Sequence, residues 1–142
     1  MNAIEFLIKE HDKVRTTLDD IANGSHHFDT QKKRFELLIH DLIRHEKMEY
    51  TVWYPHFKNE VPDTVKHLLK EEKSAEKEIK KIDGLKTEAA WKEHFIKFKQ
   101  DVEHHAQEEE KKLFPEVKKI LTEKQLLEIG LSMLVFKKEY SE

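Results

Sequence analysis

The sequence predicts an all-α fold, an up-down-up-down four-helix bundle with an additional C-terminal helix, in a single domain over residues 1–142. Three observations predict it. Only 3 Gly and 3 Pro punctuate 142 residues rich in Glu, Lys and Leu, which favours long helices over turns. Apolar residues recur in alternating steps of three and four, the signature of a helix buried along a seam. A segment in the middle of the chain is also repeated sixty residues later with its helical register intact.

Asn2 and Glu5 form a capping box and Gly24 offers a stop, so the first helix is expected over residues 3–23. Its seam is Ile4, Leu7, His11, Val14, Leu18, Ile21, with His11 at a core position. After a loop through Ser25–Asp29, a second helix is expected from Thr30 to Phe57, with the seam Phe35, Leu38, Leu42, His45, Glu49, Val52. Pro55 is expected to kink its last turn, because proline cannot donate a hydrogen bond back to Thr51. A third helix starts near Asp63 or Thr64 and runs to Asp83, with the seam Val65, Leu68, Glu72, Ala75, Ile79, Ile82. Thr87 caps the fourth, whose seam is Trp91, Phe95, Phe98, Val102, His105, Glu109, Leu113 and whose end falls around residues 115–119. Thr122 with Gln125 caps a fifth helix carrying Leu126, Leu127, Ile129, Leu134 and Phe136, expected to cover one end or side of the bundle.

The repeat joins His45, Glu49, Tyr54 and Pro55 to His105, Glu109, Phe114 and Pro115. A His and a Glu four apart share one face of a helix, so each copy can offer a nitrogen and an oxygen to one point. The wider pattern suggests two related hairpins, in which His11 of one corresponds to Glu72 of the other. At about 1.5 Å rise per residue, His11, His45, Glu49, Glu72, His105 and Glu109 all fall at one level of the bundle. One uncompensated carboxylate there costs several kcal/mol, and three beside three imidazoles are not explained by packing. A pair of iron ions would compensate them, with Mn or Zn as possible substitutes. The competing reading is a metal-free polar network.

At these residues the chain resembles the hemerythrin-like family, the HHE cation-binding domains, over essentially its whole length. The isolated His of IKEHDKVR and the segments HEKMEYTVWYP and HHAQEEEKKLFP carry the resemblance. It implies a four-helix bundle holding a non-haem di-iron centre, with His45 and His105 as terminal ligands, Glu49 and Glu109 bridging, and His11 as the first-helix ligand. The third helix departs from the family pattern: Glu72 stands where a His is expected, and His67 lies off the seam. Glu72 either ligates through oxygen, giving a harder and more anionic site, or turns to solvent. The fuller histidine set of oxygen carriers is missing, which argues against reversible oxygen carriage.

The remaining histidines read more simply. His26 and His27 belong to a loop, and His40, His56 and His67 to the surface. His94 is either an outer neighbour of the site or a partly exposed residue. His104 and Glu108 repeat the HxxxE spacing one residue out of register, about 100° around the helix, towards solvent or a neighbouring helix. Tyr50, Trp53 and Tyr54 are core residues, or else redox-active groups or hydrogen-bond donors near the site.

Composition narrows the function. The chain has no Cys, which excludes disulfides, thiolate-ligated metal and thiol catalysis and fits a cytoplasmic protein. A net charge of −3 offers no case for nucleic acid, and no apolar run approaches membrane-spanning length. The leading expectation is a cytoplasmic di-iron protein engaging dioxygen, peroxide or nitric oxide, in sensing, iron handling or stress response. Two alternatives stand beside it: a di-iron enzyme with peroxidase-like, ferroxidase-like or iron-centre repair activity, and a metal-free module whose fifth helix docks a partner or forms a homodimer.

Overall fold

A computed structural model describes residues 1–140, arranged as α1 (Ala3–Ala22), α2 (Phe28–Val52), α3 (Pro62–Asp83), α4 (Glu88–Glu108), α5 (Phe114–Ile120) and α6 (Glu123–Glu139). A 3-10 turn, Tyr54–His56, follows α2, and a π-helical segment, Glu109–Leu113, joins α4 to α5. The first four helices form the bundle.

Helix starts follow local chemistry. The Asn2–Glu5 capping box is present with reciprocal bonds of 2.9 and 3.0 Å, Thr87 caps α4, and Thr122 and Gln125 cap α6 reciprocally. Three expected boundaries shift. α1 ends on extended Asn23, so Gly24 makes no left-handed cap, and no described residue has positive φ. α2 begins at Phe28 instead of Thr30, with Asp29 placed favourably in its first turn. It also ends at Val52, earlier than Phe57, because the constraint of Pro55 is met by a tight 3-10 turn that tucks Trp53, Tyr54 and Phe57 into the core.

The second copy of the repeat solves the same problem differently. At Pro115 the helix does not stop. It widens, and the Phe114 amide reaches back five residues to the Glu109 carbonyl. A π turn leaves room for the proline ring and lets the helix continue as α5. The widening begins at Glu109, one of the six seam residues.

The apolar core is divided in two. One cluster gathers Leu7, Met48, Trp53, Leu68, Leu113 and Phe114 with residues of α6. The other gathers Leu18, Phe35, Leu42, Ile82, Trp91 and Phe98. Along every bundle helix the six polar seam residues fall between the two. The seams therefore identify both the core and its polar layer.

Helix α6 packs against α1 and α2. Its buried face is Leu126, Ile129, Gly130 and Met133, with Phe136 partly covered. Leu127 and Leu134 are 44% and 42% exposed, because α6 docks through a single face. Gly130 makes the approach possible: a Cβ there would stand 2.4 Å from the Met1 carbonyl oxygen and 3.0 Å from the Asn2 carbonyl carbon. Gly130→Ala is expected to destabilise the fold by about 1–3 kcal/mol despite alanine's better helix propensity, read as a lowered denaturation midpoint. An unchanged or raised midpoint would show that α6 sits less closely than this. Among the described residues no helix is long and apolar enough to cross a membrane.

Candidate metal centre

The bundle brings all six predicted residues together. Helix α1 supplies His11, α2 His45 and Glu49, α3 Glu72, and α4 with its π extension His105 and Glu109. Glu49 and Glu109 are fully buried, His11, His45 and Glu72 are buried, and His105 is the most open. Glu72 faces inward, so the reading in which it turns to solvent is not what the fold adopts. One ligand atom each from Glu49, Glu72, His105 and Glu109 lies within 4.8 Å of the others. The rings of His11 and His45, 5.4 Å apart, flank this group.

Each imidazole points its Nε2 inward. His45 Nε2 lies 3.2 Å from Glu49, His105 Nε2 3.1 Å from Glu109, and His11 Nε2 3.5 Å from the other oxygen of Glu109. Each also points its Nδ1 outward at a second carboxylate: His11 at Glu110 (2.8 Å), His105 at Glu71 (3.1 Å) and His45 at Glu10 (3.5 Å). At His11 and His105 these hydrogen-bonded carboxylates favour the tautomer with Nδ1 protonated and the Nε2 lone pair free for the site, whereas His45 Nδ1 faces Glu10 without a hydrogen bond. Two of the outer carboxylates are themselves anchored, Glu110 by Arg15 at 2.8 Å and Glu10 by Lys137 of α6 at 2.8 Å.

Sequence reasoning did not find these three acids. Each is the chain neighbour of a seam residue (Glu10 of His11, Glu71 of Glu72, Glu110 of Glu109), and a position about 100° around a helix reads as solvent-facing until the adjacent helix is in place. Tyr54 is both core and donor. Its hydroxyl lies 2.8 Å from Glu72, 3.2 Å from Glu109 and 3.5 Å from Glu49, and burial followed by these carboxylates holds its pKa well above the usual phenol range. Tyr54→Phe is expected to cost about 1–3 kcal/mol in the metal-free protein by removing the donor these acids share. Retention of full metal-free stability by the Phe variant would exclude that role. His94 lies away from the layer and pairs with Glu78.

The electrostatics show an incompletely compensated layer. Burial, then the charge of Glu109, push Glu49 up to about 8. Glu109 is also pushed up by burial, but the imidazoles of His105 and His11 beside it outweigh this and hold it well below the carboxylate range. His45 and His105 are raised well above 6.5 because their carboxylate partners overcome burial. Nearby Glu46, half-buried, is raised to about 9 by its partial burial and by the charge of Glu72. Even so, Glu49 Oε1 and Glu109 Oε2 are buried without a hydrogen-bond partner. Two orphaned carboxyl oxygens beside three inward-facing imidazole nitrogens fit a bound cation and fit a self-satisfied polar network poorly.

Comparison with known proteins agrees with this architecture. A crystal structure of a hemerythrin HHE cation binding domain-containing protein from Mycobacterium kansasii superposes with a TM-score of 0.86 at 22% identity, covering 97% of this chain and 86% of that one, and so shows the same fold. No curated protein sequence matches the chain. The family model of the hemerythrin HHE cation binding domain matches residues 2–117, which span α1 to α5 and every residue of the polar layer, and the chain belongs to that family.

Proposed function

We propose that this protein binds two iron ions in the polar layer and uses them to engage dioxygen, peroxide or nitric oxide, in sensing, iron handling or stress response. The observation that carries the reading is the pair of orphaned oxygens on Glu49 and Glu109 among inward-facing imidazole nitrogens. Glu109 turns one oxygen toward His105 and the other toward His11, the arrangement a bridging carboxylate needs. Glu49 lies between His45 and the group containing Glu72 and His105. His105 and Glu72 would hold one ion, His11 and His45 the other, with Glu49 and Glu109 shared. When bound, the metal pair would supply redox-active centres for a small ligand.

The protein's own residues set the conditions. The two apolar clusters limit water on either side, and Glu110 and Glu71 hold His11 and His105 in register. A cavity of about 190 Å³, lined by Glu46, Glu49, Glu72 and His105 with Ala75 and Val102, has room for a diatomic ligand or peroxide. Protonated Glu46 on its wall favours a second reading, a di-iron enzyme, since it can donate a proton to a bound ligand.

The test is elemental analysis after anaerobic ferrous loading and desalting, read with the visible spectrum before and after air. About two irons per chain with charge-transfer absorption is the expected result. Zinc or manganese retained in preference to iron would redirect the chemistry, and no retained metal would leave a metal-free module. Turnover of peroxide or ferrous iron would distinguish enzyme from sensor.

A further inference from the structure

A second pair of HxxxE motifs faces outward beside the polar layer. His67 and Glu71 lie four apart on α3, His104 and Glu108 four apart on α4, and the two pairs meet across the helix interface. His67 Nε2 is 3.1 Å from Glu108 and 3.6 Å from Glu71; His104 Nε2 is 3.0 Å from Glu108 and 3.9 Å from Glu71. Ligand atoms of His67, Glu71 and Glu108 fall within 4.8 Å of one another. The histidines are 57% and 61% exposed, whereas the carboxylates beneath them are largely covered, so the cluster is open to solvent on its imidazole side only. Lys112 also reaches Glu108, at 3.7 Å, but is 68% exposed and free to swing aside.

We infer that His67, Glu71, His104 and Glu108 form a surface site for a divalent transition-metal ion and pass that ion to the buried layer. Two imidazoles and two carboxylates on adjacent helices suit first-row divalent ions better than calcium or magnesium, which prefer oxygen ligands alone. Two observations connect the site to the interior. Glu71 faces both ways: Oε2 meets the surface imidazoles, while Oε1 accepts from Nδ1 of His105. The cavity lined by Glu49, Glu72 and His105 is also lined by Glu71 and His104, so two of the four surface ligands stand on its wall. The transfer half of this inference rests on the metal reading of the layer; the surface site does not.

The experiment uses Co²⁺ as probe on the metal-stripped full chain, read by equilibrium dialysis and by d–d absorption. In the Glu49→Gln/Glu109→Gln variant, whose inner site is disabled, one exchangeable Co²⁺ per chain is expected, with affinity falling about tenfold or more when His67→Ala and His104→Ala are added. Absence of Co²⁺ binding in the first variant, or binding indifferent to the two added changes, overturns the surface site. In the otherwise unaltered chain, His67→Ala/His104→Ala is expected to leave the inner metal content at equilibrium intact while slowing uptake at low metal concentration several-fold. Uptake at the parent rate overturns the transfer role. A chain that binds a single ion, lost with His67 and His104, would keep the surface site and refute the buried one.

Discussion

Replacing Glu109 by Gln is expected to abolish metal retention and to destabilise the metal-free protein by about 3 kcal/mol, whereas Glu49→Gln abolishes metal retention and leaves metal-free stability unchanged or raised. The two glutamates occupy equivalent places in the repeat and are equally buried, yet their surroundings differ. Glu109 is ionised and held between His105 and His11, with Tyr54 adding a hydrogen bond. Neutralising it strands two imidazoles whose pKa values it helps to raise, the costly way to break a buried pair. Glu49 has His45 within 3.2 Å but also meets the charge of Glu109, and its pKa lies near 8. It is largely protonated at neutral pH, and Gln resembles that neutral form. Chemical denaturation of both stripped variants, beside elemental analysis of both loaded ones, checks the pair of expectations. Equal destabilisation of the two would overturn the asymmetry. Metal retained by either would move the site away from the shared carboxylates.

That asymmetry also marks how far a sequence can be read. Heptad seams identify His11, His45, Glu49, Glu72, His105 and Glu109 because each is a polar break in an apolar stripe, and a stripe is a property of one helix. Such information survives without a partner. Glu10, Glu71 and Glu110 carry no comparable signal: they lie on polar faces, and only the crossing of two helices brings each to an Nδ1. The π turn at Glu109 was equally hidden. Pro55 and Pro115 occupy matching positions in the repeat, but one precedes the connection to α3, where a helix can end, and the other lies in the first turn of α5, which carries the helix on. Leu127 and Leu134 could not be sorted into buried and exposed from sequence for a related reason. An additional helix packed on the outside of a bundle buries one stripe, and α6 carries more apolar residues than that stripe can use.

The metal-free protein is expected to lose stability as the pH rises from about 6 to 9, by several kcal/mol in total, and bound metal is expected to reverse that slope. The signs follow from the proton balance. His11, His45 and His105 have folded pKa values raised above 6.5, so their contribution is complete below 6.5 and disappears as pH rises through the folded values. Glu49 and Glu46, raised to about 8 and about 9, act in the same direction, since above 4.5 the unfolded chain ionises them readily while the fold holds the proton. Glu109 and the outer acids Glu10, Glu71 and Glu110 oppose this: their depressed pKa values give stability above 4.5 that is lost as pH falls through the folded values. The stripped protein should therefore be most stable at roughly pH 5–6, between the two regimes. Metal ligation demands neutral imidazoles and ionised carboxylates, so it takes the place of protons at His11, His45, His105 and Glu49, releases them, and strengthens as pH rises. Denaturation midpoints of stripped and loaded protein at pH 6, 7.5 and 9 test this, with proton release on metal binding measured by titration in buffers of differing ionisation enthalpy. Parallel pH profiles for the two forms would mean that metal does not bind at the titrating layer. A stripped protein that gained stability up to pH 9 would mean that the layer's acids are already ionised and paired, removing the electrostatic need for a cation.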